Sequence, residues 1–168
     1  MAVFSGTYTA KLDRGRCFFP AQFRKELGDV AAVRLKIRPT ENDNKYLEIY
    51  TEDGWLERTE AYKKFIKYKE FDYGNEEEPG TADYYAEFIS GVDEIIIELK
   101  SETNPTNVGR MVIPKEMTKT IKLQDEVVFR GVGGLIQVWA KETYDKRPTL
   151  NQKAFLAERI KEQKQQNL

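Results

Sequence analysis

The sequence predicts a mainly β fold with peripheral helices (α+β), built from two pseudo-symmetric copies of one supersecondary unit. Three observations carry that prediction. The first is a repeated phrase: Gly15-Arg16 is followed by Cys17, Phe18, Phe19 and Pro20, and Gly109-Arg110 by Met111, Val112, Ile113 and Pro114. The second is the order of segments after each proline. A short, charged, helix-compatible stretch (21–27 and 115–123) leads to a β-branched run (30–37 and 127–130), a loop and an apolar pair (Ile49-Tyr50 and Val138-Trp139). An aromatic, Trp55 or Tyr144, then stands five positions past the second member of each pair. Such ordered recurrence marks a duplicated unit. The third observation is size. Half of a 168-residue chain buries too little surface to be comfortably stable, so the copies are expected to share one core as a pseudo-two-fold pair.

The elements come in order along the chain. Residues 4–12 alternate imperfectly and suit a first strand, with Gly6 as a bulge. Asp13-Arg14-Gly15 is a tight turn, because glycine tolerates the positive φ that a hairpin needs. Phe18-Phe19 continues as a strand that Pro20 stops, and 20–27 reads as two helical turns ended by Gly28. There Phe23 and Leu27, four apart, point inward while Arg24 and Lys25 point out. A strand over 31–37, a polar hairpin loop over 39–44 and a return strand over 45–50 come next. Thr51-Glu52-Asp53-Gly54 starts a helix with Trp55, Tyr62 and Ile66 on one face and Phe65 beside them. After a polar connector over 72–80, a second helix over 82–90 carries Tyr85, Phe88 and Ile89 inward, with Gly91 past its end. A strand is predicted over 94–99, and Asn104-Pro105-Thr106-Asn107 marks a loop. The second copy repeats strand, short helix and hairpin, with Gly131 and Gly133-Gly134 in the turn. Residues 150–163 put Phe155, Leu156, Arg159 and Ile160 at helical spacing, and this stripe has so few partners nearby that a neighbouring subunit is expected to cover it. The predicted organisation is a first repeat (1–55), linking helices (56–92), a second repeat (93–147) and a C-terminal helix and tail (148–168).

Composition narrows the function. Charged residues at 33% and hydrophobic ones at 40% suit a soluble globular chain rather than a disordered one. No apolar run approaches the roughly 20 residues needed to cross a bilayer. Met1-Ala2-Val3-Phe4 lacks the basic region and apolar core of a signal peptide, so a cytoplasmic location is expected. Cys17 is the single cysteine, which forbids an internal disulfide, and it is expected as a half-buried strand residue. There is no histidine. That removes the commonest general base, the commonest zinc ligand and every Ser-His or Cys-His arrangement. Glu76-Glu77-Glu78 looks like a solvated loop, and no carboxylate pair stands out as acid and base. Neither an enzyme nor a metal, cofactor or small-molecule substrate is expected.

Net charge is −1, but the charge is uneven. Between positions 7 and 25, Lys11, Arg14, Arg16, Arg24 and Lys25 face only Asp13, an excess of four positive charges. Around the second motif Arg110, Lys115, Lys119 and Lys122 outnumber Glu116. The whole molecule is no electrostatic magnet for nucleic acid, but positive charge is concentrated at the repeated motif, where Lys11, Arg14, Arg16, Arg24, Lys25, Arg110 and Lys115 are the candidate binding residues. Two readings stand for Arg16 and Arg110: donation to phosphates or guanine edges, or pairing with a carboxylate across the fold to hold the turn. For Lys11, Arg14, Arg24 and Lys25 the choice lies between phosphate contact and a plain solvated face. Trp55, Tyr62, Phe65, Tyr85 and Phe88 sit at helical spacing and suit packing better than base stacking.

A family resemblance rests on these same residues. Phe4-Ser5-Gly6-Thr7-Tyr8, Leu12-Asp13, Gly15-Arg16, Phe19-Pro20-Ala21, Phe23-Arg24 and Leu27 resemble the start of the MraZ family. Gly109 to Pro114, Val127-Val128, Gly131-Val132 and Val138-Trp139 resemble its second half, and the likeness extends to about position 147. The resemblance implies two AbrB-like swapped-hairpin repeats forming a closed β-barrel with helices around it. It also implies a nucleoid-associated, DNA-binding transcriptional regulator of the bacterial division and cell-wall gene cluster, with double-stranded DNA as its partner, assembled as a ring-like homo-oligomer. Lys11, Arg14, Arg16, Arg24, Lys25, Arg110 and Lys115 are then the candidate DNA-binding residues. Arg16 and Arg24 occupy the places of DNA-contacting basic residues in related AbrB-like proteins. Two departures matter. The family motif has an aspartate, three residues, then the arginine, and Asp13-Arg14-Gly15-Arg16 is one residue shorter. In the second copy Thr106, or Lys100 if the Asn-Pro loop is an insertion, replaces the aspartate. DNA contact is accordingly expected more of the first copy than of the second. The competing reading is an oligomeric interaction scaffold that has lost DNA binding.

Overall fold

A computed structural model describes residues 2–28, 32–39, 44–67, 80–97, 108–147 and 151–167. Strand β1 (Phe4–Lys11) turns through Asp13 to Arg16 into β2 (Arg16–Phe18). Helix α1 (Ala21–Leu27) begins at Pro20, whose lost N–H is not needed at a helix start, and ends at Gly28 with φ 72°. Strands β3 (Ala32–Pro39) and β4 (Lys45–Tyr50) follow. In helix α2 (Glu52–Ile66) the Gly54 N–H donates to Thr51 Oγ1 at 3.1 Å. Glu52 and Asp53 in its first turn and Lys63 and Lys64 in its last suit the helix dipole. Helix α3 (Thr81–Ile89) leads to β5 (Val92–Ile96). The second copy supplies β6 (Arg110–Val112), α4 (Lys115–Thr120), β7 (Glu126–Gly133), β8 (Ile136–Ala140) and α5 (Lys141–Asp145), before α6 (Gln152–Gln166).

The two copies interleave. β1 of the first pairs with β7 of the second, from Phe4 opposite Gly133 to Lys11 opposite Glu126. β5, which holds the matching place in the second copy, pairs with β3 of the first. β4 and β8 join the halves across the pseudo-dyad, with Leu47 opposite Val138. The outcome is an antiparallel sheet in the order β1-β7-β8-β4-β3-β5. β2 and β6 make a separate two-stranded ribbon, Cys17 opposite Met111, with β1 beside β2 and β5 beside β6.

The core lies between that sheet and that ribbon. Val33, Leu35, Leu47, Ile49, Val127, Phe129, Ile136 and Val138 line one face by strand alternation, each at most 1% exposed. Phe19, Phe23, Ile113 and Met117 close over them from the ribbon ends and the short helices. The Phe23 ring meets Phe4 and Tyr8 edge-on at 5.6 and 5.2 Å, a geometry aromatic quadrupoles favour. At roughly 25 cal/mol per Å² of apolar surface, burial on this face dominates stability. On the opposite face Trp55 stacks on Phe88 at 6.0 Å and Tyr62 stacks on Phe88 at 4.0 Å.

Several expectations need correction. Gly6 makes no bulge, since β1 and β7 pair residue for residue and Gly6 faces Gly131. Gly131 and Gly133 accordingly belong to β7 rather than to the turn. Phe65 is 82% exposed and Ile89 40% exposed, because α2 and α3 turn only Gly54, Trp55, Thr59 and Phe88 fully inward. Cys17 is fully buried instead of half-buried, under the ribbon. Helix 82–90 begins and ends one residue earlier, and the strand predicted over 94–99 runs from Val92 to Ile96. The loops over 40–43, 72–79 and 101–107, with Lys100, Asn104 and Thr106, lie outside the described residues.

Candidate nucleic-acid interface

The duplicated motif forms a reciprocal clasp. Phe19 N–H donates to the carbonyl of Gly109 at 2.7 Å, and Ile113 N–H donates to the carbonyl of Gly15 at 2.9 Å. Each motif glycine thus holds the residue four past the other. Cys17 and Met111, 3% and 1% exposed, form the floor of the ribbon. By the two-residue period of a strand, Arg16, Phe18, Arg110 and Val112 share its outer face. Arg16 stands opposite Val112, and Phe18 opposite Arg110.

The first-copy turn is a two-residue hairpin. Asp13 and Arg16 exchange both backbone hydrogen bonds at 2.9 Å, and Arg14 and Gly15 take φ of 52° and 78°. Positive φ at both central residues defines a type I′ turn, whose twist matches that of the flanking strands. Arg14 is thereby set at the apex, exposed, in a conformation that disfavours a Cβ. Arg16 is exposed as well, and no ion pair holds Arg14 or Arg16 among the described residues. Among the described residues no carboxylate pairs with Arg16 across the fold.

The second-copy turn is built otherwise. Among the described residues of this turn only Gly109 has positive φ, at 83°, while Val108 and Gly109 are partly or fully buried. The Arg24 guanidinium lies across it. Nη1 donates to the Val108 carbonyl at 3.1 Å, and the Arg24 side chain occupies the space where a Cβ on Gly109 would stand. Arg24 Nε is buried, with no hydrogen-bond partner among the described residues. The expectation that Arg24 points out into solvent is corrected: it is half-buried against the other copy. Nine positions past Gly109 the matching residue is Thr118, which donates to its own helix at the Lys115 carbonyl, so no reciprocal arginine covers Arg14 and Gly15 among the described residues.

The remaining candidates spread out. Lys25 is exposed in the last turn of α1, and Lys115 is exposed at the start of α4. Arg110 is half-buried on the ribbon. Lys11 faces Glu126 across the ladder and lines a cleft with Asp13, Asp125, Glu142 and Asp145. That cleft carries more negative than positive side chains, an unsuitable wall for a phosphate. Elsewhere the body neutralises its own cations: Arg34 pairs with Glu52 and Arg38 with the buried Glu48, each at 3.0 Å. Burial pushes the Cys17 thiol up to about 12, which keeps it neutral and unreactive. Phe18 and Val112 escape a reading of the motif by charge alone. Counting by twos from the buried Cys17 and Met111 is the signal that finds them. Among the described residues no helix is long and apolar enough to cross a membrane.

No family model matches the chain. Known proteins do. The transcriptional regulator MraZ of Cutibacterium acnes is 29% identical over 154 residues, 91% of this chain and 92% of the relative. That of Bacteroides fragilis is 30% identical over 147 residues, covering 87% of this chain and 82% of the relative. For Desulforamulus reducens the values are 27% over 161 residues, 94% and 97%.

Proposed function

The chain belongs to the MraZ family, and we propose that it is a DNA-binding transcriptional regulator that occupies repeated promoter elements as a ring-like homo-oligomer. The genes regulated are those of the bacterial division and cell-wall cluster, and the protein is cytoplasmic and nucleoid-associated. One observation supports this reading above the rest: Arg14 at the turn apex and Arg16 on the ribbon face are exposed, with no carboxylate bound to either among the described residues. Lys25, Arg110 and Lys115 extend the cationic rim, and no catalytic step or cofactor is involved. In this reading the ribbon closes the six-stranded sheet into a barrel, each repeat being one swapped hairpin. A single subunit offers few phosphate contacts, and each contributes about −0.9 to the salt slope. Several subunits on spaced repeats raise avidity by roughly 10² to 10⁴ without any new kind of contact.

A second reading draws on α6, where Phe155, Leu156 and Ile160 are 58%, 58% and 53% exposed. That stripe suits self-assembly, with or without DNA. A gel-shift titration on the DNA upstream of the protein's own gene, at low and moderate salt, separates the two. Wild-type protein retards the duplex. The Arg14→Ala/Arg16→Ala variant binds more weakly, with a salt slope flatter by about two for each engaged subunit. If the wild type never retards that DNA at low salt, the scaffold reading prevails. Light scattering that finds a monomer at working concentrations removes the ring.

A further inference from the structure

We propose that Phe18 and Val112 read thymine methyl groups in the DNA major groove, and so supply the sequence discrimination of the ribbon. The proposal rests on the DNA-binding reading above. Arginines that touch phosphates position a protein but carry no sequence information. Discrimination needs contacts to base edges, and the C5-methyl of thymine is the apolar group that the major groove displays.

The ribbon face has the composition for that task. Phe18 and Val112 are 50% and 52% exposed, while the floor residues between them and the core are almost completely buried. They occupy diagonal corners of a four-residue patch whose other corners are Arg16 and Arg110. Each apolar side chain therefore stands directly opposite an arginine, at about 5 Å between Cβ atoms. Side chains two apart on one strand are separated by about 6.8 Å, close to two base-pair steps of about 3.4 Å. A two-stranded ribbon fits a major groove about 12 Å wide. Charge selects the occupant. Arg16 within the patch and Arg14 beside it bind no carboxylate among the described residues, so the surface complements a polyanion. Two apolar side chains fall far short of the roughly 800 Å² per partner of a stable protein interface.

The test uses the wild-type protein and one chemical change in the probe. The duplex upstream of the protein's own gene is amplified once with thymidine triphosphate and once with deoxyuridine triphosphate, which deletes only the methyl groups. Wild-type protein binds the uracil duplex about four-fold more weakly for each methyl contacted. The Phe18→Ser/Val112→Ser variant binds both duplexes alike and keeps the wild-type salt slope. Equal wild-type affinity for the two duplexes overturns the proposal while leaving DNA binding in place. So does a serine variant that retains the thymine preference, or one that leaves it intact while altering the sedimentation of the oligomer, which assigns the pair to a protein contact. Failure of the wild type to bind either duplex at low salt removes the DNA-binding reading itself, and this inference with it.

Discussion

The turn at Gly15 and the turn at Gly109 share a glycine, an arginine and a reciprocal backbone clasp, yet they present different surfaces. At Gly15 the backbone takes positive φ twice, and Arg14 projects from an uncovered apex. At Gly109 only the glycine takes it among the described residues, and Arg24 of the other copy seals the turn. Duplication has kept what both halves need, the clasp and the buried floor, and has let the rest diverge. The part the copies share builds the fold. The turn apex that they do not share adds Arg14 to the proposed recognition surface of the ribbon face.

The largest effect expected from this contrast is a difference between two alanine substitutions. Gly109→Ala places a Cβ where the Arg24 side chain lies and also strains a φ of 83°. The strain costs about 1–2 kcal/mol, and displacing a charged hydrogen bond adds a similar amount, for about 3 kcal/mol in all. Gly15→Ala meets only the Ile113 carbonyl at 3.4 Å, so it costs about 1.5 kcal/mol from φ alone. Urea midpoints measure both. Equal losses would mean that Arg24 does not seal the turn.

Arg24→Ala tests the same seal from the other side. Loss of the bond to the Val108 carbonyl costs about 1.5–3 kcal/mol, again read from urea unfolding. The salt slope of DNA binding stays near the wild-type value, in contrast to the Arg14→Ala/Arg16→Ala variant. A slope that flattens with Arg24→Ala and unchanged stability would return Arg24 to the phosphate-contacting set.

The ribbon floor distinguishes the copies through titration. Cys17 and Met111 sit opposite one another, but only the first carries a proton to lose. Burial raises the Cys17 pKa from 9.0 to about 12, so the folded state holds its proton where the unfolded state releases it. Its stabilising contribution is complete below pH 9 and declines as pH rises toward 12. The loss is about 1.4 kcal/mol per pH unit in that window. Thermal unfolding followed from about pH 8.5 to about pH 10.5, starting in the ordinary thiol range, checks this. Cys17→Ala flattens the decline. If the decline persists unchanged in the variant, lysines or tyrosines produce it.

Much of this was legible in the sequence because it depends on local chemistry. The two clasp glycines, the prolines before α1 and α4, the Thr51 cap and the alternation of β3, β4, β7 and β8 all follow from short-range rules. Strand exchange is another matter. The alternation of β1 is satisfied equally by a partner in its own copy, and only the assembled core selects β7. Arg24 illustrates the same limit. Helical spacing sends it away from Phe23, toward what looks like solvent until the second copy arrives there. Phe65 and Ile89 fail for the reverse reason, being apolar residues at a helical spacing that no second layer covers among the described residues. The ribbon patch was half legible. Its arginines appear in the motif, whereas Phe18 and Val112 pass as core residues until strand parity is known.

The smallest expected effect on stability is also the sharpest test of what the open turn is for. Arg14 holds φ at 52° in a place where glycine or asparagine is the favoured residue of a type I′ turn. Arg14→Gly releases the Cβ strain, worth about 1–2 kcal/mol, and returns about 0.5–1 kcal/mol of unfolded-chain entropy, so a net gain of about 0.5 kcal/mol is expected. The same substitution removes a positive charge from the apex and weakens DNA binding in gel shifts. Stability and affinity move in opposite directions, as they do where a strained residue is retained for function. A variant that is more stable and binds DNA as well as the wild type would leave the strain at Arg14 without a purpose and shift the weight of recognition onto Arg16 and the ribbon face.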